Sequence, residues 1–298
     1  MVVSFPKDKI FVALDETDPF SIKRILENYG YTFSPNFSSA SLLNEFSLLR
    51  RKIIANPSFN HDSIAGVIIP YEGIEETIDG KKIGEYLQEK NIPAFLRIDA
   101  GLAKEENGTR KFLTLGNNIY LRLSVAKVTH YIGVKVRSLI YSSDNKGIKD
   151  AVNEEFKIAK AALMDGLIPI IEIEIDIHIA DREKAEKVLL DELLKKSMSL
   201  PTDSKVIYRL SFPEKPNLYS PLLNKKTTLT MLASTSGYSK EEVLSKLKEN
   251  PTLTPAFSRA FIASLKANMD DEEFGTALKN SIIEMRQKKM DLYRLAKD

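Results

Sequence analysis

Charged side chains interrupt several short apolar runs of this chain. In IPIIEIEIDI, Glu172, Glu174 and Asp176 alternate with isoleucines. Because side chains alternate across a strand, these three carboxylates are predicted to share one face. Buried carboxylates need cationic partners, or their pKa values must rise. The other charges at the ends of apolar runs are Asp15, Glu72, Arg97, Asp99, Lys135, Arg137, Arg209 and Arg259.

Two interpretations of these charges remain open. Any one of them could belong to a layer of ion pairs that closes a barrel, with Arg97, Lys135, Arg137 and Arg209 as partners for the carboxylates. Their regular recurrence at strand ends favours, for the set as a whole, a binding site for an anionic small molecule. Barrel enzymes place their chemistry at these strand ends.

Short apolar runs alternate with amphipathic stretches along the whole chain. The runs are typical of buried parallel strands and lie at Ile10–Leu14, Ala65–Ile69, Ala94–Ile98, Tyr131–Val136, Ile168–Ile175, Val206–Leu210, Thr227–Leu232 and, more weakly, Ala256–Arg259. Helical spacing covers Ser21–Asn28, Leu42–Ile54, Ile148–Met164, Asp181–Leu200, Ser239–Glu249 and Asp270–Leu295. This alternation predicts a single-domain (β/α)8 TIM barrel, an α/β fold, over residues 1–298. A doubly wound open sheet is the alternative, but no nucleotide-binding glycine motif supports it.

Composition excludes several classes of function. The chain has 298 residues, a net charge of +2, no cysteine and three histidines. Disulfides, thiolate metal sites and a cysteine nucleophile are therefore excluded, and we expect neither a metal nor a cofactor. The balanced charge indicates no nucleic-acid partner. No apolar run approaches the roughly 20 residues of a membrane span, and no signal peptide is evident, so we expect a cytoplasmic protein. The sequence does not indicate an oligomeric state.

Several segments, in this order, resemble those of the bacterial class I fructose-bisphosphate aldolases. They are FVALD at 11–15, NPSF at 56–59, FLRIDAGLAKEENG at 95–108, GVKVRS at 133–138, GLIPIIEIEI at 166–175, PNLY at 216–219, SGYS at 236–239 and AFSRAF at 256–261. The resemblance implies a (β/α)8 barrel, cleavage of fructose 1,6-bisphosphate into two triose phosphates, a Schiff base on a strand-six lysine and a role in glycolysis. It implies a sugar-phosphate ligand and no cofactor.

The resemblance also assigns roles to individual residues. It implies that Asp15 orients substrate hydroxyls, that Lys135 keeps the pKa of the nucleophile low, and that Glu172 is the general acid/base with Glu174 beside it. Arg259 matches the phosphate-binding arginine of strand eight. Further substrate or phosphate contacts are expected from Thr17, Arg97, Arg137, Ser236 and Gly237.

Departures from the family pattern fall on substrate-contact positions. Arg209 stands where the nucleophilic lysine is expected, and a guanidinium cannot supply the free amine that an imine needs. Arg97 replaces a strand-three lysine, and Ser236-Gly237 replaces the Gly-Gly of the phosphate loop. After strand one, the sequence ETDPF at 16–20 replaces a small Gly-rich turn. Standard Schiff-base activity is therefore expected to be lost or strongly reduced.

Three functional hypotheses remain. The chain could be a lyase that uses Lys135 as its imine lysine, as in the transaldolase family. It could be a catalytically silent homologue, a pseudoenzyme that acts through ligand binding or regulation. It could also be an enzyme without an imine, in which Arg97, Lys135, Arg137 and Arg209 stabilise an enolate or a phosphate while Glu172 or Asp15 moves a proton.

Overall fold

Eight parallel strands form a closed barrel in the computed structural model, which describes residues 5–6, 8–34, 37–114, 118–235 and 237–295. The barrel strands are β1 (Ile10–Ala13), β2 (Ile64–Pro70), β3 (Ala94–Arg97), β4 (Gly133–Ile140), β5 (Ile168–Ile175), β6 (Val206–Ser211), β7 (Thr228–Ser234) and β8 (Thr254–Phe257). Each strand pairs with the next, and β8 pairs with β1, which closes the barrel. The predicted (β/α)8 barrel is confirmed.

Helices surround the barrel. They are α1 (Pro19–Tyr29), α2 (Ser39–Ala55), α3 (Ile83–Glu89), α4 (Asn118–Val128), α5 (Asn145–Met164), α6 (Arg182–Ser197), α7 (Ser220–Leu223), α8 (Lys240–Glu249), α9 (Arg259–Ile262) and α10 (Asp271–Leu295). A 3-10 helix, Tyr71–Glu75, follows β2, and the short strands Thr77–Ile78 and Lys81–Lys82 pair after it. Ser239 and Glu242 form a capping box at the start of α8. No helix among the described residues is both long and apolar enough to cross a membrane.

The barrel interior changes from apolar to charged along the strands. Its apolar layer includes Ala13, Phe95, Ile170 and Ile207, all buried. Two residues after each of these, towards the carboxyl end of the strand, the same inward face carries the charged side chains Asp15, Arg97, Glu172 and Arg209. Because strand side chains alternate, a charged residue two positions after an inward apolar residue must also face inward. The charged layer therefore lies at the carboxyl ends of the strands.

Several element boundaries differ from the sequence-based prediction. Strand β4 continues to Ile140 rather than ending at Val136, because its upper end pairs with a short strand, Thr109–Arg110. Strand β8 ends at Phe257, and Arg259 begins α9. Helices α3 and α4 were not predicted. Helix α4 exposes the apolar residues Tyr120, Leu121 and Val128, so its sequence lacks the polar face that a helical pattern requires.

Candidate active site at the barrel mouth

The carboxylate of Glu172 lies between two cations at the floor of the barrel mouth. Lys135 Nζ is 2.5 Å from Glu172 Oε2, and Arg209 Nη1 is 3.0 Å from Oε1 and 3.1 Å from Oε2. Adjacent strands bring these side chains together, since β5 pairs with both β4 and β6 and Glu172 is in register with Arg209. Glu172 is only 1% exposed, so its charge is compensated mainly by these two partners, with Arg137 Nε further away at 3.9 Å, rather than by water.

Lys135 bridges Glu172 to a second carboxylate, that of Asp15 at the end of β1, with which it forms another ion pair. Burial by itself would raise the pKa of Asp15, but the charges of Lys135, Arg209 and Arg97 outweigh it and lower that pKa to about 2. The ammonium of Lys135 is thus held between two carboxylates. It would have to leave both ion pairs before its amine could attack a ketone.

Arg209 cannot lose its charge and act as a neutral nucleophile. Burial opposes its charge, but Glu172, Asp15 and Glu174 more than compensate and raise its pKa above the ordinary value of an arginine. Its Nε atom is buried and has no hydrogen-bond partner among the described residues. Arg209 is therefore a fixed cation with a donor that remains unused.

Glu174 and Arg137 form an ion pair above this floor, and Arg137 Nε also lies 3.9 Å from Glu172 Oε1. Arg137 donates to Glu174 Oε2 from Nε at 2.7 Å and from Nη2 at 2.5 Å, and the Ser234 hydroxyl donates to the other carboxylate oxygen. Burial opposes the ionisation of Glu174, but Arg137, Arg209 and the Ser234 hydroxyl outweigh it and lower its pKa to about 2. Arg137 is thus largely neutralised by the protein itself.

Arg97 is also paired within the protein. It donates to Asp99 Oδ1 at 2.9 Å from Nε and 2.8 Å from Nη2, and to the Asp15 backbone oxygen at 3.1 Å. Arg122, on α4, holds this strand end from outside, donating to the Ile98 and Asp99 carbonyl oxygens at 2.8 and 3.2 Å. The end of β3 is therefore fixed on both sides.

A cleft of about 570 Å³ opens above these residues. It is large enough for a small-molecule ligand. Of the predicted site residues, it is lined by Asp15, Thr17, Arg97, Lys135, Arg137, Glu172, Glu174, Arg209 and Arg259. The lining residues outside the predicted site include Arg110 and Glu16. Arg110 enters from the connection between β3 and β4, in a two-residue strand that is too short for side-chain alternation to be recognised from the sequence.

The loop after β1 uses its own acidic side chains to satisfy its amides. Glu16 Oε1 accepts from the Thr17 and Asp18 amides at 3.0 and 3.1 Å. Asp18 is the N-cap of α1 and accepts from the Ser21 amide at 2.9 Å, with Pro19 in the first turn. Such amides would otherwise be available to a ligand phosphate. Thr17 lines the cleft, but its amide is already bonded.

Some predicted residues lie away from the cleft. Gly237 is exposed and is not part of the cleft lining, while Ser236 lies outside the described residues. Glu72 is exposed in the 3-10 helix after β2. Asp176 follows the end of β5, where it accepts a hydrogen bond from the His178 amide at 2.8 Å. Across the described part of the chain, no group of three or more histidine or acidic side chains is arranged to hold a metal ion.

Comparison with solved structures finds chains that share this barrel fold. Fructose-bisphosphate aldolase from Plasmodium falciparum, solved in complex with TRAP and a small-molecule inhibitor, has a TM-score of 0.71 and 15% identity, with 97% of this chain and 91% of that chain covered. Cgl0159 from Corynebacterium glutamicum has a TM-score of 0.55 and 11% identity, covering 98% and 88%. No protein-family model matches this chain. At such identities the likeness bears on the fold alone.

Proposed function

We propose that the cleft binds a sugar phosphate and that the chain does not carry out Schiff-base aldol cleavage through strand six. The observation that carries this proposal is the pairing of Arg209 with Glu172 at 3.0 and 3.1 Å on the barrel floor. A guanidinium stays protonated and cannot form an imine with a ketone. The residue that matches the nucleophile of class I aldolases is instead a cation bonded to the residue that matches their general acid/base.

Ligand binding is supported by the charges that surround the cleft. Six of its lining residues are cationic: Arg97, Arg110, Lys135, Arg137, Arg209 and Arg259. Four of these pair with carboxylates of the protein, whereas Arg110 and Arg259 form no ion pair with any described residue. Uncompensated guanidinium groups in a concave site suit phosphate oxygens, which accept two parallel hydrogen bonds. The neighbouring carboxylates suit sugar hydroxyls.

A second candidate function is aldol chemistry through Lys135. It is favoured by Lys135, whose side chain is 2% exposed and whose Nζ lies beside two carboxylates that could move protons. It requires that a substrate displace the ammonium from both ion pairs and that a carboxylate accept its proton. The two candidates differ in one observable, the formation of a covalent imine.

Borohydride trapping separates them. The purified chain is incubated with fructose 1,6-bisphosphate or dihydroxyacetone phosphate, reduced, and weighed intact, with a known class I aldolase in parallel. We expect no adduct on the wild type. An adduct that maps to Lys135 and disappears in Lys135→Met would establish the second candidate, in which strand four rather than strand six supplies the imine lysine. Arg209→Lys tests the remainder of the site, because an adduct there would show that only the nucleophile is missing.

Binding is measured separately by calorimetric titration with fructose 1,6-bisphosphate in the absence of borohydride. Saturable binding that weakens with added salt is expected, because the contacts are between charges. If neither this sugar nor its monophosphates bind at millimolar concentration, the proposed sugar-phosphate site is refuted whatever the outcome of trapping.

A further inference from the structure

The loop after β3 forms an arm, defined here as residues 99–114, which folds back over the barrel mouth. Its two sides are joined by backbone hydrogen bonds, from the Ala100 amide to Leu113, the Leu113 amide to Gly101 and the Ala103 amide to Lys111, of 2.8–2.9 Å. At its tip, Asn107 and Gly108 both have positive φ, as a two-residue hairpin turn requires. The arm is therefore a small hairpin rather than an irregular loop.

The arm is anchored to the upper end of β4. Its strand Thr109–Arg110 pairs antiparallel with Ile140 and Leu139, and the Tyr141 amide donates to Gly108 O at 2.7 Å. Helix α5 packs against the tip at Gly147, where a Cβ atom would lie 2.0 Å from Asn107 O. Only glycine allows this approach. The position of the arm relative to the cleft is thus determined by the barrel itself.

Arg110 extends from this anchored arm into the cleft. Its Nε donates to Ala103 O at 2.9 Å and its Nη2 to Leu102 O at 3.3 Å, across the arm. A guanidinium has five N–H groups, so about three remain for a ligand. Among the described residues, no carboxylate lies within 4.0 Å of its nitrogens. Arg110 is thus an oriented cation whose charge the protein does not compensate.

Arg259 is the other cation of the cleft without an ion pair, and it begins α9 directly after β8. In the closed barrel, β4 and β8 are four strands apart in either direction, so they lie opposite each other. Arg110 belongs to the β4 side and Arg259 to the β8 side. The other arginines on the β3 and β4 side form ion pairs within the protein, Arg97 with Asp99 and Arg137 with Glu174.

We propose that Arg110 is a specificity-determining residue, which binds one phosphate group of the ligand at the wall of the cleft opposite Arg259. The proposal rests on the proposed function, since it names which residue of the cleft selects a second phosphate. The preorganised guanidinium loses little freedom on binding, which favours a direct bidentate contact.

The test compares Arg110→Gln with the wild type by calorimetric titration of three probes: fructose 1,6-bisphosphate, fructose 1-phosphate and fructose 6-phosphate. We expect Arg110→Gln to weaken the binding of the bisphosphate and of one of the two monophosphates about tenfold or more. This corresponds to the loss of a charge-assisted hydrogen bond of about 1.4 kcal/mol. The other monophosphate should bind as in the wild type. Arg259→Gln should show the reverse preference between the monophosphates.

Lys111→Gln is the matched control, because it removes the same charge from the next residue of the arm, which pairs with Glu106 at 3.9 Å and does not line the cleft. It should change none of the three affinities. If Arg110→Gln binds the bisphosphate within twofold of the wild type, the role of Arg110 is overturned while the proposed function stands. An equal loss of affinity for all three sugars, which a misplaced arm would cause, would also overturn the role of Arg110. A wild type that binds none of them refutes both.

Discussion

Replacing Arg209 with methionine is expected to destabilise the barrel by about 3 kcal/mol. Removing one partner of a buried ion pair typically costs about 3–5 kcal/mol, because the remaining charge is left uncompensated. Glu172 is 1% exposed and loses the contacts of 3.0 and 3.1 Å to Arg209. The ion pair with Lys135 at 2.5 Å remains, which places the expected cost at the lower end of this range. For a chain of this size the melting temperature should fall by about 5 °C.

Far-ultraviolet circular dichroism is the appropriate assay, since the chain contains no tryptophan to report by fluorescence. Glu172→Gln combined with Arg209→Met should recover part of the loss, because the double variant leaves no buried charge at position 172 to be compensated. Lys205→Met is the matched control: this exposed lysine directly precedes the same strand and donates to the Lys226 carbonyl oxygen at 2.7 Å. It should shift the melting temperature little. If Arg209→Met melts within about 2 °C of the wild type, the argument for a structurally required ion pair is refuted.

Three further predictions concern titration and helix capping. Glu155→Gln should raise the melting temperature at neutral pH but not near pH 4. Burial, together with the charges of Glu172 and Asp99, raises the pKa of Glu155, so the protein keeps its full stability below pH 4.5, where Glu155 is neutral, and loses stability as the pH rises. Equal shifts of the melting temperature at both pH values would contradict this. Lowering the pH from about 4.5 towards 2 should progressively reduce the stability of the folded protein. Ion pairs lower the pKa values of Asp15 and Glu174 to about 2, so the stabilisation by these carboxylates is present above their ordinary pKa values and is lost as they become protonated. Acid titration followed by circular dichroism checks this, and an unchanged melting temperature at pH 3 would contradict it. Ser239→Ala should cost about 1 kcal/mol by removing the capping box of α8, seen as faster hydrogen exchange of the first amides of that helix.

Sequence patterns predicted the barrel because its strands are short, apolar and separated by amphipathic helices. Strand β5 matches its predicted range, Ile168–Ile175, residue for residue. Prediction was weakest where local pattern and tertiary packing disagree. Helix α4 leaves Leu121 61% and Val128 73% exposed, so its amphipathic signal is poor. The extension of β4 to Ile140 depends on a partner strand from a different part of the chain.

The site could be predicted in part for the same reason. Alternation within strands placed Asp15, Lys135, Glu172 and Arg209 on the inward face, and the structure brings them into contact. Arg110 was missed because the sequence did not predict its two-residue strand, Thr109–Arg110, in the connection between β3 and β4. The Asn107-Gly108 dipeptide was the one available signal, since it predicts a hairpin turn and hence an arm that returns to the barrel. It does not predict that the returning strand directs an arginine into the cleft.

The amino-acid sequence by itself determined the barrel, the charged layer at its mouth and the absence of a lysine at position 209, because each follows from residue type and from the periodicity of a single segment. Tertiary structure decided which cation meets which carboxylate. Arg97 and Arg137 are neutralised by Asp99 and Glu174, while Arg110 and Arg259 form no ion pair within the described residues. Ion pairing depends on distances of a few ångströms between segments far apart in sequence, and these distances exist only once the barrel has closed.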